Sequence, residues 1–112
     1  MKKYFVIYMA SEGDFKKAMA EMPKMTPEAM KASMEEWTTW MKSKGGVVDM
    51  GAPLGKTKKV TPTEIIDMRN EIGGYSIIEA ESHDEASKKM QDSPHFKMMP
   101  GGWIEVMEVG EM

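Results

Sequence analysis

The chain contains no cysteine, which excludes a disulfide framework and a thiolate metal site while remaining compatible with either redox compartment. No apolar stretch approaches the length of a membrane span. There is no basic stripe either. Acidic and basic residues are mixed along the chain and the net charge is −3, a balance poorly suited to neutralising phosphates, so nucleic-acid binding is not expected. No nucleotide fingerprint, P-loop, metal triad or Ser/His/Asp order occurs, and no solenoid repeat or low-complexity tract is present. The expectation is a protein that needs no metal and no organic cofactor, with neither nucleic acid nor membrane as partner. Met1-Lys2-Lys3 ahead of residues 4–10 faintly resembles a signal peptide, but the apolar run sits at the short limit for a signal core and makes a good first strand. A soluble cytoplasmic protein is the default expectation.

At 112 residues the chain can build one hydrophobic core and is too short for two ordinary domains. Residues 73–109 organise the rest. Gly73-Gly74 opens the run Tyr75-Ser76-Ile77-Ile78-Glu79-Ala80, whose aromatic and β-branched residues suit a strand. Ser82 then stands three residues before Glu85, the spacing of a capping box. Ala86 and Met90 give the following short helix its apolar stripe, Pro94 is expected to end it, and residues 103–109 form a second strand. Two strands joined through a helix in so few residues make a βαβ unit.

In the first half, Tyr4-Phe5-Val6-Ile7-Tyr8-Met9 is apolar on both faces and suits a central strand covered on both sides. Ser11-Glu12-Gly13-Asp14 reads as a turn, followed by a short helix or irregular turn up to Pro23. Thr26-Pro27-Glu28 is a helix start, with a capping hydroxyl, proline at the first helical position and an acid in the first turn. Met30, Met34, Trp37 and Met41 then recur on one face, expected to be buried, until Lys42, Lys44 and Gly45-Gly46 end the main helix. Residues 46–54 read as a strand entering a turn. Residues 56–67 are polar apart from Val60, Ile65 and Ile66, and the connection over residues 56–70 is longer than an ordinary strand connection. A β-hairpin arm with its tip at Thr61-Pro62-Thr63, contacting a second chain, is the expectation there.

The element order predicts an α+β, ferredoxin-like βαββαβ sandwich with helices on one face of an antiparallel sheet. Tyr75, Ile77, Trp103 and Met107 are too apolar to leave in water on the other face, and the simplest cover is the same face of a second copy. A homodimer enclosing a barrel-like cavity follows.

Several short motifs in order, Gly51-Ala52-Pro53-Leu54, Ile72-Gly73-Gly74-Tyr75-Ser76-Ile77-Ile78-Glu79-Ala80, Ser93-Pro94-His95 and Ile104-Glu105-Val106, together resemble the YCII-related, or DGPF-domain, family over nearly the whole chain. The resemblance implies a dimeric α/β barrel. One relative, in chloroaromatic degradation, looks like a dehydrochlorinase, and others have been proposed to use a His and Asp pair. The chain departs from that family in having Arg69-Asn70-Glu71-Ile72 in place of the Asp-Gly-Pro-Phe signature. Its first helix carries Trp37 and Trp40 but no histidine.

Among polar residues, Asp49 is the most informative, because aspartate is depleted in strands. If Val48, Met50 and Ala52 face the helices, Asp49 faces the cavity, where a carboxylate could act as a base or hold a polar ligand group. Its structural alternative is a hydrogen bond to backbone or to a lysine at the barrel mouth. His95 follows Pro94 in a loop and is read either as a general acid or base at the pocket mouth or as a cap packed beside Phe96. His83 is expected in solvent. Tyr75, Ile77, Glu79, Trp103, Glu105 and Met107 share strand parities that place them in the cavity or at its rim, as the lining for a small apolar or aromatic ligand. Trp37 and Trp40 share a helix flank, with core or dimer packing ahead of ligand stacking. Of the fifteen methionines, Met19, Met22 and Met25 form a spacing that could offer thioethers to Cu(I), but methionine is more simply an adaptable core filler. Two function classes follow: an isomerase or lyase working by proton transfer through Asp49 and His95, or a non-catalytic ligand-binding or interaction module using the same cavity.

Overall fold

In the first strand Tyr4, Val6 and Tyr8 alternate with Phe5, Ile7 and Met9, and this period of two divides the middle of the sheet between two apolar faces. The computed structural model describes residues 1–110. In chain order it contains β1 (Lys2–Met9), α1 (Glu12–Glu21), a 3₁₀ turn (Met22–Lys24), α2 (Pro27–Lys44), β2 (Val47–Pro53), β3 (Thr57–Val60) and β4 (Ile65–Met68). There follow β5 (Ile72–Ala80), α3 (His83–Lys89), α4 (His95–Met98) and β6 (Trp103–Glu108). Four strands form one antiparallel sheet in the order β2-β5-β1-β6. Since β5 and β6 both run antiparallel to β1, they are parallel to each other with β1 between them. That is the split βαβ arrangement of a ferredoxin-like α+β fold. Among the described residues no helix is long and apolar enough to cross a membrane.

The core lies between one sheet face and the helices. Tyr4, Val6 and Tyr8 of β1 meet Ile78 and Ala80 of β5, Trp40 and Met41 of α2, Ala86 of α3, and Met90 just beyond it. Thr26 caps α2 by accepting the Ala29 N–H at 3.1 Å, with Pro27 in the first turn. The methionine stripe of α2 is buried only at its C-terminal end. Met30 and Met34 remain 41% and 71% exposed while Met41 is fully enclosed, because helical periodicity specifies a face but not whether the sheet extends beneath it.

Local signals hold elsewhere with small displacements. Residues 12–14 are the first turn of α1 rather than a separate turn, and Ser11 caps that helix through the Asp14 N–H. Ser82 caps α3 through the Glu85 N–H, but the Glu85 carboxylate bonds the N–H of Glu81 at 3.0 Å instead of that of Ser82. The box therefore closes one residue early. α3 ends at Lys89 and Pro94 starts α4 instead of terminating α3, as a residue whose fixed φ favours a helix start.

Residues 56–70 form the expected hairpin. β3 and β4 pair Lys59 with Ile66 and Val60 with Ile65, and the tip closes through Thr61 N–H to Glu64 C=O at 2.9 Å. It is a two-stranded sheet separate from the main one.

Candidate site on the open sheet face

The register of the sheet determines what stands on the face that α2 and α3 leave uncovered. Phe5 lies between Ile77 and Met107, Ile7 between Tyr75 and Glu105, Lys3 opposite Glu79, and Met9 opposite Trp103. Tyr75, Ile77, Glu79, Trp103, Glu105 and Met107 thus share one surface with Phe5, Ile7 and Met9. Within a single chain Tyr75, Ile77, Glu79 and Trp103 are half-buried, while Glu105 and Met107 are exposed. The Phe5 and Tyr75 rings pack at 5.6 Å, and the Trp103 indole N–H donates to Glu105 Oε2 at 2.8 Å. The floor is apolar and its polar groups are mainly carboxylates.

Asp49 reaches this face by a route that strand alternation alone does not give. β2 pairs Val47 with Ile78, Asp49 with Ile77 and Ala52 with Tyr75, so the register shifts twice in six residues. Such bulges re-aim side chains. Of the three residues expected to face the helices, only Met50 does so, together with Val47; Val48 is 45% exposed and Ala52 is paired with Tyr75. The second bulge contains Gly51 at φ +78°, where a Cβ would fall 1.6 Å from the Tyr75 carbonyl oxygen, so only glycine allows this approach. Asp49 Oδ1 accepts the Gly51 N–H at 2.8 Å, and Oδ2 lies 3.5 Å from the Tyr75 hydroxyl. The carboxylate is exposed, tied on one side to backbone and aimed on the other at a phenol.

His95 is elsewhere. It is the first residue of α4 rather than part of an exposed loop, only 6% exposed, and its ring packs on Tyr8 and Phe96. Its Nε2 lies 2.8 Å from the Met9 carbonyl; a carbonyl can only accept, so that nitrogen carries the proton. Tyr8 belongs to the helix-covered core, so within one chain Asp49 and His95 stand on opposite faces of the sheet. The structure does not bring the two together.

Three polar arrangements were not anticipated. Tyr8 hydroxyl and Ser76 Oγ are 3.0 Å apart, and Ser76 donates to the Met50 carbonyl at 2.8 Å, so Tyr8 is the donor to Ser76. Burial pushes the Tyr8 phenol above its ordinary range, and the Ser76 hydrogen bond offsets part of that. A serine within an apolar strand run was the available signal. Asp92 receives Lys44 Nζ at 2.6 Å and the Trp40 indole N–H at 2.9 Å, and these, Lys44 first, hold its carboxyl below the usual range. Its partners lie about fifty positions away, beyond any local pattern. His83 is exposed but not free: Nε2 lies 2.7 Å from the Val106 carbonyl of the edge strand β6, and its ring is 5.3 Å from that of Tyr4.

Trp37 and Trp40 pack on each other, with Trp37 edge-on to Tyr8 at 4.8 Å, so that Trp40 lies in the core and Trp37 packs against it. No group of three or more His, Cys, Asp or Glu side chains among the described residues is arranged to hold a metal. In the methionine series the Arg69 guanidinium lies 3.8 Å from Met19 Sδ.

No protein-family model and no curated protein matches the sequence. Among solved structures the chain is similar to 5-chloro-2-hydroxyhydroquinone dehydrochlorinase (TftG) from Burkholderia phenoliruptrix AC1100, in complex with 2,5-dihydroxybenzoquinone. The identity is 17% and the TM-score 0.49, over 98% of this chain and 95% of that one. At that distance the chemistry of the present chain has to be argued from its own residues.

Proposed function

We propose that the protein binds a small, largely apolar ligand over the open sheet face, in a cavity closed by the same face of a second copy. The supporting observation is the face itself. Tyr75, Ile77, Trp103 and Met107 build an apolar floor on Phe5 and Ile7, while Asp49 and Glu105 are held in place by Gly51 and Trp103. A surface with aromatic walls and a few fixed polar groups is the usual composition of a ligand site. Acceptors dominate, so a ring bearing hydroxyl or amino donors fits better than an anion. Such an assembly agrees with the dimeric barrel that the YCII-related resemblance implies.

Of the two function classes, the geometry favours binding over proton transfer by an Asp49 and His95 pair, because His95 is committed to the Met9 carbonyl behind the sheet. A proton-transfer reading is supported only through Asp49, whose Oδ2 accepts a long hydrogen bond from the Tyr75 hydroxyl at 3.5 Å. The test is a native mass spectrometry search of phenols and anilines on the intact protein. Asp49→Asn and Trp103→Phe should each weaken a bound compound about tenfold, the loss of one good polar or aromatic contact. His95→Gln should lower stability and leave affinity unchanged. Loss of binding in His95→Gln at unaltered stability would move the site to the other face.

A further inference from the structure

The β3–β4 arm is unfinished as it stands in one chain. Val60, Ile65, Ile66 and Met68 are 71%, 67%, 40% and 39% exposed, although a two-stranded hairpin without packing is marginal in water. The arm also extends the molecule. The Cα radius of gyration is 15.4 Å, against roughly 13 Å for a compact chain of this length, and the longest dimension is 46 Å.

The hairpin register sorts the arm into two unlike surfaces. On one, Lys58 is paired with Asp67 across the strands, their charges 2.6 Å apart, beside the Val60 and Ile65 pair. On the other, Thr57 lies opposite Met68 and Lys59 opposite Ile66, and the Lys59 ammonium has no carboxylate partner among the described residues. Over residues 56–69 the arm carries Lys56, Lys58, Lys59 and Arg69 against Glu64 and Asp67. The open sheet face has the opposite balance, with Asp49, Glu79 and Glu105 around an apolar floor and Lys3 as the cation on it. Glu79, directly across from Lys3, has no side-chain partner among the described residues. An apolar, basic ribbon and an apolar, acidic face therefore occur on one chain but do not meet within it.

From this we infer that the arm of each copy clasps a second copy at the acidic rim of its open face, with Lys59 and Ile66 contributing to the wall of the ligand cavity. The inference rests on the face-to-face dimer proposed above and adds that the cavity is incomplete without the partner's arm. The arm leaves the edge strand β2 and returns into β5, the strand that carries Tyr75, Ile77 and Glu79 of the open face.

The test mixes equal amounts of unlabelled and ¹⁵N-labelled protein after refolding together, couples lysines to carboxylates with a zero-length carbodiimide, and sequences the joined peptides. Expected are light–heavy pairs linking Lys56, Lys58 or Lys59 to Asp49, Glu79 or Glu105. A sedimenting dimer that yields no such mixed pairs overturns the arm contact and leaves the face-to-face reading intact; a monomer overturns both. Ile66→Asp supplies a second measurement. It should weaken dimerisation at least tenfold while the monomer keeps its helical signal and core melting, since Ile66 is 40% exposed and sits on a two-stranded sheet separate from the main one. An undiminished dimer in Ile66→Asp would refute the inference.

Discussion

Replacing Gly51 by alanine should be among the most damaging single-methyl changes in the chain, and Gly45→Ala is its internal control. Both glycines have positive φ, +70° at Gly45 and +78° at Gly51, but a Cβ at Gly45 meets nothing within 4 Å while one at Gly51 meets the Tyr75 carbonyl oxygen at 1.6 Å. The backbone penalty is common to the two, about 1–3 kcal/mol for a residue with a Cβ in such a region. Gly51→Ala must in addition push β2 away from β5, weakening the Gly51 N–H to Asp49 bond and the neighbouring ladder, each contact contributing about 0.5–1.5 kcal/mol. The expected costs are about 1–3 kcal/mol for Gly45→Ala and about 3–6 kcal/mol for Gly51→Ala, against a total of about 5–15 kcal/mol for a domain of this kind. Urea unfolding followed by Trp37 and Trp40 emission reads both. If the two variants differ by less than about 0.5 kcal/mol, the close approach at Tyr75 does not hold the bulge and the aim of Asp49 must have another origin.

Two pH profiles test the buried and tethered groups. The Tyr8 phenol is raised above the ordinary value near 10 by burial, so its contribution to stability is complete below that pH and is lost as pH rises through the folded value. Tyr8→Phe should cost about 1 kcal/mol at neutral pH, and the gap from the parent protein should close in the alkaline range; a constant gap would contradict the burial argument. Asp92 is shifted the other way by Lys44 and Trp40, so its contribution is present above the ordinary aspartate value near 4 and is lost as pH falls through the lower folded value. Asp92→Asn should flatten the acid limb of the urea midpoint below pH ~4, and an unchanged limb would show that the tether carries no linkage.

What could be read from the chain was what its physics makes local. The Thr26 and Ser82 caps, the Pro27 start, the two apolar faces of β1 and the hairpin register about Thr61-Pro62-Thr63 each depend on neighbours a few residues apart. The order of elements then restricts the sheet topology, because split βαβ connections leave few arrangements. The paired faces followed from parity alone, so Tyr75, Ile77, Trp103, Glu105 and Met107 share a surface as expected. Parity fails where register slips, and the two shifts in β2 arise from pairing with β5, some 25 positions away. Asp49 therefore reaches the open face through a bulge that Gly51 permits rather than through simple alternation. For His95 the sequence offers both a pocket-mouth acid or base and a ring packed beside Phe96, and what separates them is distant: its ring meets the Met9 carbonyl, 86 positions earlier, as well as Phe96. The burial of Met30 and Met34 was overestimated for a related reason: amphipathicity records a preference, and the partner surface has to exist.

The central claim is that the open face is covered by a second copy, and Trp103 reports it directly. With 5-fluorotryptophan incorporated, the ¹⁹F resonances of Trp37, Trp40 and Trp103 can be assigned by single Trp→Phe variants and exposed to a soluble paramagnetic relaxation agent at micromolar protein. If the faces enclose a cavity, Trp103 is shielded as well as the core residue Trp40. Broadening of the Trp103 signal to the extent of a free indole, with Trp40 still sharp, would show the face open to water and contradict the account.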